Sequence, residues 1–343
     1  MIADVAIEGA LLAELSRATG VALAFRSTPV PITGGFWAQI FGFELDHPPA
    51  HLAGPLVLRV MPDAASGRRE IVVQSWLGDA GYPVAPVLHS GSADGLGEAF
   101  MVMPRIAGAS PLANHRLGSA LLGLREILRS IPRRLTDATG QLHSLDPATL
   151  RERLGAVGAG MGGGAAPYLA RIAAACVPSS SGFDALVRWF DDNRPRPIRE
   201  VLCHGDLHPF NLLVDERGEM VVLDWTGATF AAPEMDVGFT AALLRCAPIA
   251  MPRLIAPFIA RVTNHLAETF VEACRTTETL DAAALAWWEA LQCARGLSEV
   301  VTARVSAVTA VGHAHPFETA APMMLRRLRQ LTGVDVTLPP RHR

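Results

Sequence analysis

Residues 204 to 211 read His204-Gly205-Asp206-Leu207-His208-Pro209-Phe210-Asn211, and they run into two short β-forming stretches, NLLV and MVVL, that end on Asp224-Trp225. The polar segment Asp215 to Glu219 between them predicts a hairpin. Pairing Val214 with Val221 continues the ladder through Leu213–Val222 and Leu212–Leu223, and sets Asn211 opposite Asp224. An amide oxygen beside a carboxylate is an oxygen-rich seat for a hard cation such as Mg2+. Asp206 lies on the loop leading into that seat, where its carboxylate can take a proton from a hydroxyl nucleophile. A base next to a metal seat suits phosphoryl transfer, whose catalysis is positioning plus charge neutralisation. A purely structural hairpin explains the segment less well, because burying His, Asp, His and Asn between apolar strands is costly.

Two other spacings invite a chemical reading and fail it. Gly158-x-Gly160-x-x-Gly163 has the form of a dinucleotide fingerprint, but that motif must follow a strand and open a helix. Here TLRERLGAV precedes it, which is helix-like, so the glycine-rich stretch 155–166 is expected to be a linker. His204 and His208 stand four apart, as zinc ligands on one helix would. Gly205 and Pro209 predict a loop instead, and the Glu of the zinc-protease pattern is missing after the first His.

The elements that must position these residues fall into two textures. Helical spacing of Val5, Leu11, Leu12 and Leu15 predicts a helix over 3–18. From 30 to 103 the order expected is strand, strand, strand, helix, strand, strand. Within it PITGG is a turn, while FWAQIFGFEL, LVLRV, PVAPVLHSG and EAFMVMP read as strands. The helix, SGRREIVVQSWLGDAG, has Ser66 as its candidate cap and Glu70 in its first turns. After Gly108 the chain turns helical. Residues 201–225 interrupt it, and helix returns over 236–330.

At its catalytic-looking segment the chain resembles the aminoglycoside phosphotransferase family, the small-molecule branch of the protein-kinase-like fold. His204-Gly205-Asp206 through Asn211 is similar to that family's HGDxxxxN catalytic loop, and Asp224-Trp225 to its metal-binding Asp. The resemblance implies that Asp206 is the catalytic Asp and that Asn211 and Asp224 hold Mg2+. Leu142-His143-Ser144-Leu145 resembles the helix end that supports the loop. Pro233-Glu234-Met235-Asp236-Val237 resembles an acidic segment in which Asp236 braces it. Upstream, the likeness implies that Gly34-Gly35 covers the nucleotide phosphates and that Met103 backs the adenine site. Pro104 to Ile106 would form the hinge, with the Pro104 carbonyl and the Ile106 N–H addressing a purine. Arg59 stands where the family has a lysine, with Glu70 as its partner. The fold implied is α+β and two-lobed: an N-terminal antiparallel-sheet lobe over 1–105 that binds nucleotide, and a larger helical lobe over 106–343 that carries catalysis and the acceptor.

Composition sets the limits. Of 343 residues 50% are apolar and 18% charged, and the net charge is -3, so there is no bulk basic field for nucleic acid. No lysine occurs, so all 30 basic residues are arginines. The five cysteines are scattered without a CxxC pair and point to a reducing compartment. No apolar run is long enough for a membrane span, and the N-terminus lacks a signal-peptide pattern, so a cytoplasmic protein is expected. The expected activity is transfer of the γ-phosphate of ATP or GTP to a small hydroxyl compound, with antibiotics as one acceptor class. From residue 230 onward ten acidic residues balance eleven arginines, which fits a polycationic acceptor poorly. Trp288 and Glu289 offer the acceptor an aromatic wall and one carboxylate, although a core role suits the tryptophans equally. The competing readings are a nucleotide-binding pseudokinase or scaffold, favoured by the missing lysine, and a metabolite kinase. Nothing in the sequence sets an oligomeric state.

Overall fold

The computed structural model describes residues 4–32, 38–94, 96–112, 120–161, 164–247, 254–305 and 316–341. Gly34, Gly35 and Gly163 lie outside them. Two units emerge, each with its own core.

The first unit comprises residues 1–110, 146–161 and 212–228. It opens with helix α1 (Asp4–Thr19) and continues through strands β1 (Ala24–Pro31), β2 (Gln39–Asp46) and β3 (Leu56–Val60). Helix α2 (Ala64–Asp79) and strands β4 (His89–Ala93) and β5 (Gly97–Pro104) follow. The five strands form one antiparallel sheet in the order β1-β2-β3-β5-β4. The expected order of strands and helix holds, with β1 beginning earlier than the sequence texture suggested. Its sequence AFRSTPVP is largely exposed and carries two prolines, which an edge strand tolerates and a central one does not. Alternation in β2 buries Phe41, Phe43 and Leu45 on one face, where they meet Ile7, Leu11 and Leu15 of α1. The cap of α2 is Asp63 and not Ser66. The Asp63 carboxylate accepts the N–H groups of Ala65 and Ser66, and the Ser66 hydroxyl also donates to it. Gly67 lets α2 lie against the sheet, since a Cβ there would stand 2.4 Å from the Ala99 Cβ.

This unit also holds helix α4 (Ala148–Ala156) and, further along the chain, the hairpin of β7 (Leu212–Val214) and β8 (Met220–Val222). The hairpin exists, but its register corrects the expected one by a residue: Leu212 faces Val222, Leu213 faces Val221 and Val214 faces Met220. The ladder that would set Asn211 against Asp224 is therefore not the one formed. The turn is the cause. Asp215 N–H bonds the Glu219 carbonyl, Gly218 takes a φ of 83°, and the Asp215 carboxylate accepts from Arg217 and Glu219 N–H groups. That closes a tighter loop than the polar stretch suggested.

The second unit comprises residues 111–145, 162–211 and 229–343. Its elements are α3 (Ala120–His143), α5 (Ala166–Cys176), α6 (Phe183–Asp192), β6 (Val201–Cys203), β9 (Thr229–Ala231), α7 (Pro233–Arg245), α8 (Ala256–Thr277), α9 (Ala282–Val305) and α10 (Ala321–Thr332). β6 and β9 pair antiparallel. Helices α7 and α9 are buried over most of their length and pack closely because Gly238 has no side chain; a Cβ there would stand 2.9 Å from the Glu289 nitrogen. Trp287, Phe190, Phe239 and Phe183 fill the core around them. Of the stretch 155–166, residues 155 and 156 end α4 and 166 opens α5, and the described residues between them, 157–161 and 164–165, form no helix or strand.

Candidate active site

In the second unit the loop after β6 carries Asp206. Buried Asp236, on the first turn of α7, accepts the N–H of His204 and of Gly205 at 2.7 Å each. Gly205 turns the chain with a φ of 76°, a conformation that glycine adopts without strain. The Thr240 hydroxyl donates to the Leu207 carbonyl at 2.9 Å, and the Asp206 N–H donates to His204 Nδ1 at 3.2 Å. The loop is thus held by its backbone, and the Asp206 side chain keeps 35% of its surface exposed. The Asn211 amide donates to the Asp206 carbonyl at 2.9 Å, which directs its nitrogen into the loop and leaves its oxygen as a possible ligand.

Behind the loop lies an ionised brace. His143, at the end of α3, meets Asp236 at 3.3 Å through Nε2 and Glu278 at 3.0 Å through Nδ1. Burial alone would discharge the imidazole. Its hydrogen bonds to Asp236, Cys203 and Glu278 outweigh burial and hold its pKa well above the ordinary value. Burial likewise pushes the Asp236 carboxyl up, and the His143 hydrogen bond and charge, with His204 and the Gly205 N–H, bring it below the usual carboxylate range. The sequence-level expectation that Asp236 braces the loop and that the His143 helix end supports it is what the geometry shows.

In the first unit Arg59, on β3, is a bridge. Its Nη2 lies 3.1 Å from Glu70 Oε1 and 3.2 Å from Asp224 Oδ1, and the side chain is nearly buried. Its Nε has no hydrogen-bond partner among the described residues. Burial pushes the Glu70 carboxyl up to about 7; Arg59 opposes that shift and the like charge of Asp224 adds to it. Asp224 has a left-handed φ of 63°, and its Oδ1 accepts the Thr226 hydroxyl at 2.6 Å. Trp225 packs edge-on against Tyr82 inside this unit. Met103 accepts from the Gln74 amide through its sulfur at 3.4 Å. Pro104 closes β5 opposite Leu56, and the Arg105 N–H is committed to the Pro55 carbonyl.

Three placements differ from what residue types alone suggest. Trp288 is 5% exposed and packs on Phe239 and Trp287, as a core tryptophan does. Glu289 is 4% exposed and already neutralised: Arg327 grips it with both fork nitrogens at 2.7 and 2.8 Å, and Arg245 adds a contact at 3.2 Å. Phe210 is largely exposed and touches the His208 ring edge. One residue escaped sequence reasoning altogether. Arg295 of α9 donates from Nη2 to Asp206 Oδ1 at 3.2 Å. Its only signal is a lone arginine in an otherwise buried helical run, between Ala294 and Gly296.

The model of the phosphotransferase enzyme family matches residues 50–265, more than half of the chain. The chain belongs to this family. Its α+β fold is protein-kinase-like, an antiparallel-sheet unit with a larger helical one. A choline/ethanolamine kinase family protein from Mesorhizobium loti has the same fold, with a TM-score of 0.59 and 18% identity over 94% of this chain and 93% of that one. A thermostable mutant of aminoglycoside phosphotransferase APH(4)-Ia, solved with AMP-PNP and hygromycin B, gives a TM-score of 0.58 and 15% identity over 94% of this chain and 97% of its own. The acyl-CoA dehydrogenase family member 10 of Mus musculus is 28% identical over 189 residues, 53% of this chain. The protein YcbJ of Bacillus subtilis (strain 168) is 44% identical over 50 residues, 14% of this chain, and the matched segments cover only 16% of that relative's length and 17% of the mouse protein's.

Proposed function

We propose that this family member transfers the γ-phosphoryl group of ATP or GTP to a hydroxyl of a small molecule. The observation that carries the reading is the catalytic loop itself. Asp236 fixes its backbone through two N–H groups while the Asp206 carboxylate stays accessible. In the step proposed, the acceptor oxygen attacks the γ-phosphorus as Asp206 accepts the hydroxyl proton. The bond from phosphorus to the bridging oxygen breaks, and the nucleoside diphosphate leaves with the electron pair. Arg59, anchored by Glu70, binds nucleotide phosphate, because a guanidinium can grip phosphate and carboxylate together. The adenine or guanine lies against Met103, Pro104 and Ile106.

Asn211 and Asp224 fit Mg2+, since both offer hard oxygen ligands and the Asn211 nitrogen is already engaged by the loop. When bound, Mg2+ neutralises charge on the phosphates. The nucleotide analogue in the aminoglycoside phosphotransferase supports the donor assignment. Hygromycin B in the same structure supports an antibiotic acceptor, while the likeness to a choline/ethanolamine kinase family protein keeps metabolite alcohols in view. No helix among the described residues is long and apolar enough to cross a membrane. A cytoplasmic setting, where ATP and GTP are available, fits the proposal.

The decisive experiment incubates the protein with Mg-ATP or Mg-GTP and a panel of hydroxylated antibiotics and metabolites. Nucleotide consumption and product masses are read together. Acceptor-dependent consumption with a phosphorylated product is expected. Nucleotide binding with no transfer to any panel member would favour the pseudokinase reading.

A further inference from the structure

The Arg295 guanidinium is fixed in place. It lies 5.4 Å from the Phe239 ring centroid and 5.8 Å from that of Tyr168 on α5, and donates to Asp206 Oδ1 at 3.2 Å. Aromatic faces attract a cation and restrain it, and the side chain is only 20% exposed. A guanidinium carries five N–H donors, and among the described residues this one spends a single hydrogen bond, on Asp206. The other Asp206 oxygen lies 3.7 Å from His208 Nε2. Any hydroxyl that hydrogen-bonds Asp206 therefore brings its neighbouring substituents close to a permanent positive charge whose fork is largely uncommitted.

Asp206 takes one donor of that fork. The other nearby carboxylates are engaged, and Glu299, one turn further along α9, faces Arg171 of α5 at 4.0 Å. Glu289 is occupied by Arg327 and Arg245. An ammonium beside the reacting hydroxyl has no lone pair to offer the remaining N–H donors of the fork. A carboxylate would meet a planar fork that matches it in shape and sign. Resting on the reading of Asp206 as proton acceptor, we propose that Arg295 positions this carboxylate and selects the acceptor: an alcohol whose hydroxyl is flanked by a carboxylate or similar anionic group, and not by an ammonium.

The test uses glycerate, glyceramide and aminopropanediol, three hydroxylated probes of one carbon skeleton whose end group is anionic, neutral or cationic. Binding is measured by ligand-observed NMR on the full chain, so turnover is not required. Wild type should bind glycerate more than tenfold tighter than aminopropanediol, with glyceramide between. In Arg295→Gln the three should fall within about threefold of one another, and Arg295→Lys should restore the order. Arg295→Lys also keeps the test open where the Gln variant fails to fold. A merely structural Arg295 would weaken all three alike. That result overturns the proposal, as does glycerate binding no tighter than aminopropanediol, or not at all. Asp206→Asn separates the underlying reading: it should keep the preference for glycerate, and if it also turned over as wild type, the assignment of Asp206 as base would fail while the charge selection stood.

Discussion

Asp206 and Asp224 announce themselves by type and spacing, Arg59 and Glu70 by the family resemblance, and the structure gives each a definite set of neighbours. Because Asp206→Asn keeps shape and loses the base, we expect it to lower turnover by about a hundred- to ten-thousand-fold while nucleotide binding persists. Steady-state rates and direct binding on the same protein check this, and unchanged turnover would refute the role. The Arg59 bridge makes a second prediction. Arg59→Ala should reduce kcat/KM more than tenfold, about 1.4 kcal/mol, and Arg59→Lys should recover part of it. Glu70→Ala acts through the same guanidinium, which touches Glu70 at 3.1 Å. The double variant should therefore lose less than the two single losses combined. Strictly additive losses would show that the two residues work separately. Arg295 belongs at this scale too. Its 89-residue separation from Asp206 left it invisible to any reading of spacing.

Elements decide how those residues are held. The start of α7 supplies Asp236, the end of α3 supplies His143, and the loop after β6 hangs from them. This brace has a pH signature with a definite sign. The His143 pKa is raised on folding above its ordinary 6.5, so its contribution to stability is complete below that value. It is lost as pH rises through the raised folded value. Thermal unfolding followed from pH 6 upward should show wild type losing stability on the alkaline side, with a flatter profile for His143→Gln. Parallel profiles for the two proteins would contradict the brace. The same scale holds the two corrections of local structure. Asp63 displaced Ser66 as the α2 cap because its carboxylate reaches two N–H groups at once. The Asp215 to Glu219 closure moved the β7–β8 register by one residue, and in a strand one residue exchanges the faces of every side chain.

For the whole molecule, the expected ligand is a nucleotide with a hard cation. Mg-AMP-PNP should raise the Tm of the full chain, by mass action worth about 2.7 kcal/mol at a hundred times Kd. Excess chelator should remove most of that shift, and Asp224→Ala should remove its Mg2+-dependent part. An equal shift in chelator would end the metal assignment. The sequence alone determined a strand-rich stretch followed by a helical one, because alternation and helical periodicity are local patterns, and the resemblance at 204–225 added the two-lobed fold class. It also marked out the candidate catalytic loop, since the proposed base, the turning glycine and the proposed amide ligand lie within eight consecutive residues, 204 to 211, and their chemistry is local. Tertiary structure decided what depends on distant chain segments meeting. Glu289, a candidate for the acceptor by type, is enclosed by arginines 44 residues before it and 38 after it. Arg295 reaches Asp206 from α9, which packs closely on α7 at Gly238, and Phe239 of α7 also brackets the guanidinium. Spacing along the chain encodes faces of single elements. Which faces meet is set by packing across the whole core, and there the charge around the Asp206 carboxylate was settled.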